Sequence, residues 1–270
     1  MNCTDFSSAR LAQLHAFDRP RYFHGQLLDV RHFESEQEYF RGKLWLINRL
    51  IHGYGVVCGL DVQAAAAGGA NVVVTPGLAL DPWGRDIVVA SDSKSIAIAP
   101  REDPSQDKDK KASYDAAGQQ QEYCDGEDDW VHVVICYREC ATGPEPVLSA
   151  GCNGDPNCTY GTTRETYYIP EPRPGKAPKL DFTPRFRDPF RSRPFDYCEL
   201  AEWVTRSCAP CIDEGQDPCL PLANVRRPAS ECDIEDIDIC VRPIVYGLDL
   251  LFEIMLAAGI EPQSRRGAKS

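Results

Sequence analysis

Four cysteines in the last third of the chain have the type and spacing that could bind a metal ion. Cys198, Cys208, Cys211 and Cys219 follow the pattern C-x9-C-x2-C-x7-C. Two thiolates on a tight turn can reach one tetrahedral Zn²⁺ at about 2.3 Å, and two more would complete a structural site. Free thiols or disulfides are the alternative, and we favour them over zinc because a single C-x2-C pair is only moderately specific.

The chain has 13 cysteines in all and shows no signal peptide, which favours thiols or metal ligation over a disulfide framework. Cys58 lies in an apolar run and is expected to be a buried free thiol. Cys232 and Cys240 flank a predicted hairpin and could form a cross-linked pair. A second, looser cysteine group extends from Cys136 to Cys158 and is a weaker metal candidate.

No residue pattern predicts a catalytic site. Five histidines are scattered along the chain, and each is interpreted as a packed or surface imidazole: His15, His24, His32, His52 and His132. The CAPC segment precedes an acidic loop, whereas a thioredoxin-like cysteine begins a helix. The GYGVVCG segment follows a helix and opens a strand, the reverse of the order that pyrophosphate binding requires. We therefore predict that the chain is not an enzyme.

A long amphipathic helix is the most strongly patterned element. Asp29 stands where an N-cap residue would, and Gly53 can end the helix in a left-handed conformation. The apolar positions recur at spacings of three, four and seven residues: Phe33, Phe40, Leu44, Ile47 and Ile51. We expect most of this face to pack on the sheet of its own domain, the alternative being that part of it docks on a neighbouring subunit.

Alternating and β-branched runs predict the remaining elements. A hairpin over 78–89 turns at Asp81-Pro82-Trp83-Gly84, a sequence typical of β-turns. Short helices are predicted at 197–204 and 244–258. Further strands are predicted at 56–62, 71–75, 95–99, 130–137, 164–169, 219–225 and 237–241. The fold class is therefore α+β and β-rich, with a long N-terminal helix, antiparallel hairpins and a C-terminal helix.

Changes in composition divide the chain into regions. We predict an N-terminal arm (1–20), a helix-and-hairpin anchor region (21–99) and an acidic, polar insertion or linker (100–129) that is too poor in aliphatic residues to bury a core. A β-rich region (130–260) follows, and it contains the cysteine-rich loops and a proline-rich arm (170–195). The last residues (261–270) are expected to form a disordered tail.

The charge balance limits the classes of partner. Lys and Arg number 29 against 41 Asp and Glu, a formal charge of −12, which disfavours nucleic acid. The proline-rich arm interleaves Arg and Phe and could stack on single-stranded nucleic acid, but we interpret it as a strap across its own domain or an adjacent subunit. The apolar stretch near the C-terminus contains Asp249 and Glu253 and is too short and polar to insert into a membrane. Synthesis in the cytoplasm is expected.

Two segments, 22–62 and 72–89, resemble the N-terminal region of an uncharacterised family of phage-tail-like proteins, similar to those encoded near baseplate and fibre components of extracellular contractile injection systems. The pattern is YF-x-GQ, then EQ-x-Y, NR-x(2)-HG-x-GVVCGL and PG-x-ALD-x(2)-GR. The residues that match it are Tyr22, Phe23, Gly25, Gln26, Glu36, Gln37, Asn48, Arg49, His52, Gly53, Gly55, Cys58, Gly59, Pro76, Gly77, Asp81, Gly84 and Arg85.

The resemblance covers about the first 90 residues and implies a structural role. It predicts a component of a contractile injection particle that sits at the baseplate or adapts fibres or spikes. Other proteins of the tail-like assembly would be its partners, the chain would be oligomeric in the particle, and the particle could be released from the cell. The alternative is a binding module, stabilised by zinc or disulfides, that presents its cysteine-rich loops to a ligand or surface.

Overall fold

The computed structural model describes residues 3–4, 16–101, 129–146, 158–180, 218–228, 234 and 236–257. The helices are α1 (Val30–Ile47), continued by a π-helical turn (Asn48–His52), and α2 (Leu248–Ala257). The strands are β1 (Cys3–Thr4), β2 (Gly55–Gly59), β3 (Val62–Ala64), β4 (Asn71–Val74), β5 (Gly77–Leu80), β6 (Asp86–Val89), β7 (Ile96–Ala97), β8 (Trp130–Pro146), β9 (Cys158–Tyr168), β10 (Arg173–Pro174), β11 (Leu220–Arg226) and β12 (Ile237–Asp238). This confirms the predicted β-rich α+β class.

The ends of α1 lie where the sequence predicts them. The Asp29 carboxylate accepts a hydrogen bond from the Val30 N–H at 2.7 Å, and the His32 Nδ1 accepts one from the Asp29 N–H at 3.1 Å, a capping box that begins the helix. Gly53 ends the π turn with φ +77°. The next strand can therefore start two residues later.

The anchor region folds into two small antiparallel sheets. One has the strand order β2-β5-β6 and contains the predicted hairpin, in which Leu80 pairs with Asp86; the other has the order β3-β4-β7. The predicted strand over 56–62 is divided into β2 and β3. Leu60 causes the break, because it has φ +55° and its backbone N–H bonds to the Pro76 carbonyl at 3.2 Å.

β8 is the central strand of the third, six-stranded sheet. It pairs antiparallel with β1, β9, β10 and β11. β11 in turn pairs with β12. Beyond Ala141 the β8–β9 pair becomes an exposed two-stranded arm. Both strands are longer than predicted, since pairing with each other extends them past the alternating residues that predict them.

One apolar core joins the anchor region to the six-stranded sheet. Leu60, Val74 and Ile87 contribute from the first, and Ile135 and Leu220 from the second, all of them fully buried. The predicted domain boundaries stay a prediction. The helix at 197–204, the insertion beyond residue 101, the proline-rich arm beyond residue 180 and the tail lie outside the described residues.

The expectation that most of the apolar face of α1 packs on its own sheet is wrong. Trp45 is the one buried residue of this helix. Phe33, Phe40 and Leu44 are half exposed or more. Periodicity identifies the apolar side of a helix, but the sheet contacts a different side, described below.

Candidate interaction surface

A buried ion pair forms the turn between β5 and β6. Asp81 is fully buried, and its carboxylate accepts hydrogen bonds from the backbone N–H groups of Trp83 and Arg85, both at 2.9 Å. The Arg85 guanidinium bonds to the other carboxylate oxygen. These bonds fix the conformation of the turn that Asp-Pro-Trp-Gly predicts.

The Arg85 guanidinium lies between two aromatic rings. Its carbon is 4.3 Å from the centroid of the Trp83 ring and 4.5 Å from that of Tyr137 on β8. Cation–π attraction is strongest at desolvated sites such as this one. Burial raises the pKa of the Asp81 carboxyl, and the charge and hydrogen bonds of Arg85 act against that rise. The pair therefore links the hairpin to the large sheet.

The same network continues to α1. The Tyr137 hydroxyl donates to the Glu139 carboxylate at 2.8 Å. Burial first, and then this bond, raise the pKa of Tyr137 well above its ordinary value, so the hydroxyl stays a donor. The Arg41 guanidinium approaches the Glu139 carboxylate at 3.6 Å and lies 4.9 Å from the Trp45 ring centroid. One side of α1 is thus attached to β8.

Gly84 brings the hairpin turn against the end of α1. The Asn48 side-chain amide donates to the Gly84 carbonyl at 2.9 Å. A Cβ at residue 84 would collide with the carbonyl group of Trp45, and Gly84 also has φ +84°. A glycine is required here for both reasons. We call these contacts of Asp81, Gly84 and Arg85 with Arg41, Trp45, Asn48, Tyr137 and Glu139 the helix–hairpin joint.

The joint accounts for several residues of the resemblance. Asp81, Gly84, Arg85 and Asn48 belong to it, and Arg49 lies next to Gly84. The network of Arg41, Tyr137 and Glu139 was missed by sequence reasoning. Its one available signal was Glu139, two residues beyond the predicted strand over 130–137, since a carboxylate that is buried there needs partners.

Other residues of the resemblance shape the loop before α1 and the start of β2. The Phe23 N–H donates to the Gln26 side chain at 3.2 Å in a turn in which Gly25 has φ +83°, and the Tyr22 hydroxyl donates to Glu36 at 3.0 Å. Gly59 pairs with Gly77 across β2 and β5, directly after Pro76. Gly55 packs against the backbone of Pro243. His52 and Gln37 lie on the exposed side of the chain.

The outer side of α1 presents apolar side chains to solvent. Phe40 is 62% exposed and Ile51 is 73% exposed. The C-terminal helix α2 has no buried residue, although the sequence predicts an apolar face for it, and Phe252 is 50% exposed. The Val56 N–H donates to the Pro243 carbonyl, and the Val245 N–H donates to the Val56 carbonyl. These bonds place the start of α2 near the strand that leaves α1.

Single exposed apolar residues are common on protein surfaces, but contiguous apolar patches mark interaction sites. The outer side of α1 and the surface of α2 are patches of this kind. Neither helix of the described chain is long and apolar enough to cross a membrane.

The cysteines do not come together as a metal centre in the part of the chain that the structure describes, where no group of three or more His, Cys, Asp or Glu could hold an ion. Cys219 forms a disulfide with Cys136, which joins β11 to β8. Its sulfur would have to be reduced before it could ligate zinc. Cys198, Cys208 and Cys211 lie outside the described residues, so the four-cysteine set stays a prediction.

Two other cysteine predictions are corrected. Cys58 is free, as expected, but exposed. A register shift between Val56 and Cys58 in the β2–β5 pairing turns the later side chains of β2 outward. Cys240 is a free, exposed thiol and is not cross-linked to Cys232.

An open groove of about 1080 Å³ lies between β7 and the segment that joins β9 to β10. Ile96, Ile98, Tyr167 and Ile169 supply apolar walls, and Arg227 supplies a positive charge. No constellation of catalytic type is found among its described lining residues. The groove is therefore a concave surface with no lining residue from either helix of the described chain.

No known family model matches the sequence, and no curated protein matches it either. Among solved structures, a match is found to one titled "Crystal structure of TssK", with a TM-score of 0.40 and 10% sequence identity. The alignment covers 93% of this chain and 51% of that one, so this chain spans about half the length of TssK. A structural similarity of this size carries no information about function.

Proposed function

We propose that this chain is a non-enzymatic structural component of a phage-tail-like contractile injection particle, placed at the baseplate or serving as an adaptor for fibres or spikes. One observation carries the proposal. Two helices of the chain expose their apolar residues, while a buried charged network fixes the opposite side of α1. The resemblance of segments 22–62 and 72–89 to phage-tail-like proteins suggests the kind of assembly.

Apolar area that is exposed to water costs free energy. Each Å² of apolar surface removed from water stabilises an assembly by about 25 cal/mol. Permanent interfaces are more apolar than transient ones and resemble a domain core cut in half. α1 and α2 have this composition, and apart from Trp45 their large apolar residues are mostly left exposed by the described part of the chain. In this proposal the chain is made in the cytoplasm and enters a particle that can be released.

Fractionation of particles tests the proposal. The tagged full chain is expressed in cells that produce the particles, which are then isolated by ultracentrifugation and analysed by mass spectrometry. The wild-type chain should sediment with the particles, and Phe252→Glu should be depleted from them at least about tenfold because α2 would present a charge to its partner. Val88→Glu is the matched control, since Val88 is 55% exposed on β6, outside both helices.

The proposal fails if the wild-type chain stays in the supernatant while the other tail proteins sediment. It also fails if particles from cells that lack this chain are complete and equally abundant.

A stabilised binding module remains the second candidate, and the Cys136–Cys219 disulfide favours it because this bond braces the strand that follows the cysteine-rich region. This module would be a monomer that keeps its ligand-binding loops without any tail protein. Metal analysis of the purified chain, together with its mass in solution, separates the candidates: one bound zinc on a monomer of 30.1 kDa supports the module.

A further inference from the structure

The exposed residues on the outer side of α1 form a heptad stripe, which we call the α1 seam. Its members are Val30, Phe33, Gln37, Phe40, Leu44 and Ile47 on α1, and Ile51 in the π turn. The steps between them alternate three and four residues, as the a and d positions of a coiled coil do. All seven are exposed, and Gln37 is the one polar member.

The other sides of α1 are covered by its own chain. Trp45 and Asn48 face the hairpin turn at Gly84. The Phe17 ring packs edge-on against the Tyr39 ring, with centroids 6.4 Å apart, and lies directly over Gly42. With Val30 at position a of the heptad, these contacts fall on positions b (Trp45), c (Tyr39), e (Asn48) and f (Gly42). Within the described residues the a and d positions are the ones left open, which is what a second helix needs. At the g positions the Glu36 carboxylate accepts a hydrogen bond from the Tyr22 hydroxyl, and the Lys43 ammonium lies 4.9 Å from the centroid of the Tyr39 ring.

We propose that a second copy of this chain occupies the α1 seam, so that two α1 helices pack as an antiparallel coiled coil. This inference deepens the proposed structural role and rests on it in treating α1 as an assembly surface. A symmetric contact of this kind ends at two copies, because each copy binds the other through the same patch. A helix of matching heptad period is needed, and the chain itself supplies one.

Charge favours this partner and this orientation. Glu36 and Lys43 occupy successive g positions beside the seam; Glu36 is half-buried next to Tyr22, and Lys43 is exposed. In an antiparallel pair centred near residue 40, Glu36 of each copy faces Lys43 of the other, which gives two attractive pairs. In a parallel pair Asp29 would instead face Glu34 of the second copy, and like charges repel. Glu36 would face Arg41, whose guanidinium is already paired with Glu139 of its own chain. Two seams that run in opposite directions are therefore complementary in charge.

The area is sufficient for a specific dimer. The aromatic members, Phe33 and Phe40, bury roughly 150–250 Å² each when covered, and the six apolar seam residues are on average more than half exposed. Seven of them offer on the order of 600 Å² per copy, or about 1,200 Å² for the pair, above the roughly 1,000 Å² expected of a biological interface.

Light scattering during size-exclusion chromatography tests the proposal on the purified full chain, at several concentrations. The wild type should elute at twice its mass of 30.1 kDa, without intermolecular disulfides on a non-reducing gel. Phe40→Glu should weaken association at least about 100-fold, since both copies lose a core residue. Val88→Glu, which makes the same change in charge at an exposed site off the seam, should leave the dimer intact, and circular dichroism checks that both variants fold.

A charge exchange tests the orientation. Lys43→Glu alone should weaken association roughly tenfold, because two attractive pairs become repulsive while the Tyr22–Glu36 hydrogen bond stays in place. The double variant Glu36→Lys/Lys43→Glu should restore it, which a different partner protein would not achieve.

Several results would overturn the inference. They are a wild type that is monomeric at high concentration, equal loss of association in Phe40→Glu and Val88→Glu, dissociation by Phe252→Glu alone, or no rescue in the double variant. A monomer that still sediments with particles would refute the seam dimer and leave the proposed function standing.

Discussion

Replacing Arg85 with leucine should destabilise the chain strongly, because it leaves a buried carboxylate without its counter-charge. Asp81 is fully buried and Arg85 is 3% exposed. Removing one partner of such a pair costs about 3–5 kcal/mol. The loss of the cation between the Trp83 and Tyr137 rings adds to this cost, and the apolar leucine offsets part of it. We expect a net loss of about 4 kcal/mol, which is a large fraction of the 5–15 kcal/mol typical of a folded protein.

The pH dependence of this loss has a definite sign. Burial already raises the pKa of the Asp81 carboxyl in the presence of Arg85, and removal of the guanidinium raises it further. A folded-state pKa above the unfolded value means that the folded state binds the proton more tightly. Its stability therefore increases as the pH falls through the folded pKa. The difference in free energy of unfolding between wild type and Arg85→Leu should therefore be greatest at neutral pH and should decrease on acidification.

Urea unfolding followed by circular dichroism, at neutral and acid pH, measures both effects. The double variant Asp81→Asn/Arg85→Leu is the control, because an asparagine oxygen can still accept the N–H groups of Trp83 and Arg85 while the unpaired charge is gone. It should recover about 1–3 kcal/mol of the loss. A loss below about 1 kcal/mol in Arg85→Leu, or a deficit that grows on acidification, would refute this account of the joint.

Two further predictions concern other links in the fold. Gly84→Ala should cost about 2–4 kcal/mol in urea unfolding, since its Cβ would meet the Trp45 carbonyl group and its φ is positive; a neutral effect would show that the turn can move away from α1. The double change Cys136→Ser/Cys219→Ser should cost about 2–4 kcal/mol, because the disulfide closes a loop over a sequence separation of 83 residues. Wild type under reducing conditions should lose at least as much stability, because reduction also breaks the disulfide of Cys140. An unchanged midpoint in either case would contradict the link between β8 and β11.

The sequence predicts local structure well where one short pattern is sufficient. Asp29 and Gly53 define the ends of the first helix because capping and left-handed termination involve neighbouring residues only. The turn after β5 is predictable for the same reason. The division of the predicted strand over 56–62 is not predictable in this way, since it depends on the positive φ of Leu60 and on the bond of its N–H to the Pro76 carbonyl.

Contacts between residues that are distant in the sequence are harder to predict from it. The sequence identifies Cys136 and Cys219 as thiols but not as each other's partner, because strand pairing between β8 and β11 brings them together. The predicted orientation of α1 is wrong for a related reason. Its most apolar side was expected to face the sheet, whereas Trp45 and Asn48 on another side make that contact.

The contacts of α1 are distributed unevenly along its length, and this bears on what the seam does. Arg41, Trp45 and Asn48, which attach the helix to the joint, all lie in its second half. The first half is held by the capping box and the Tyr22–Glu36 bond, both exposed. Helical segments this short are marginal in water without packing. A second α1 laid along Val30 to Phe40 would supply that packing, while the joint holds the other half in a fixed orientation and so lowers the entropy cost of association.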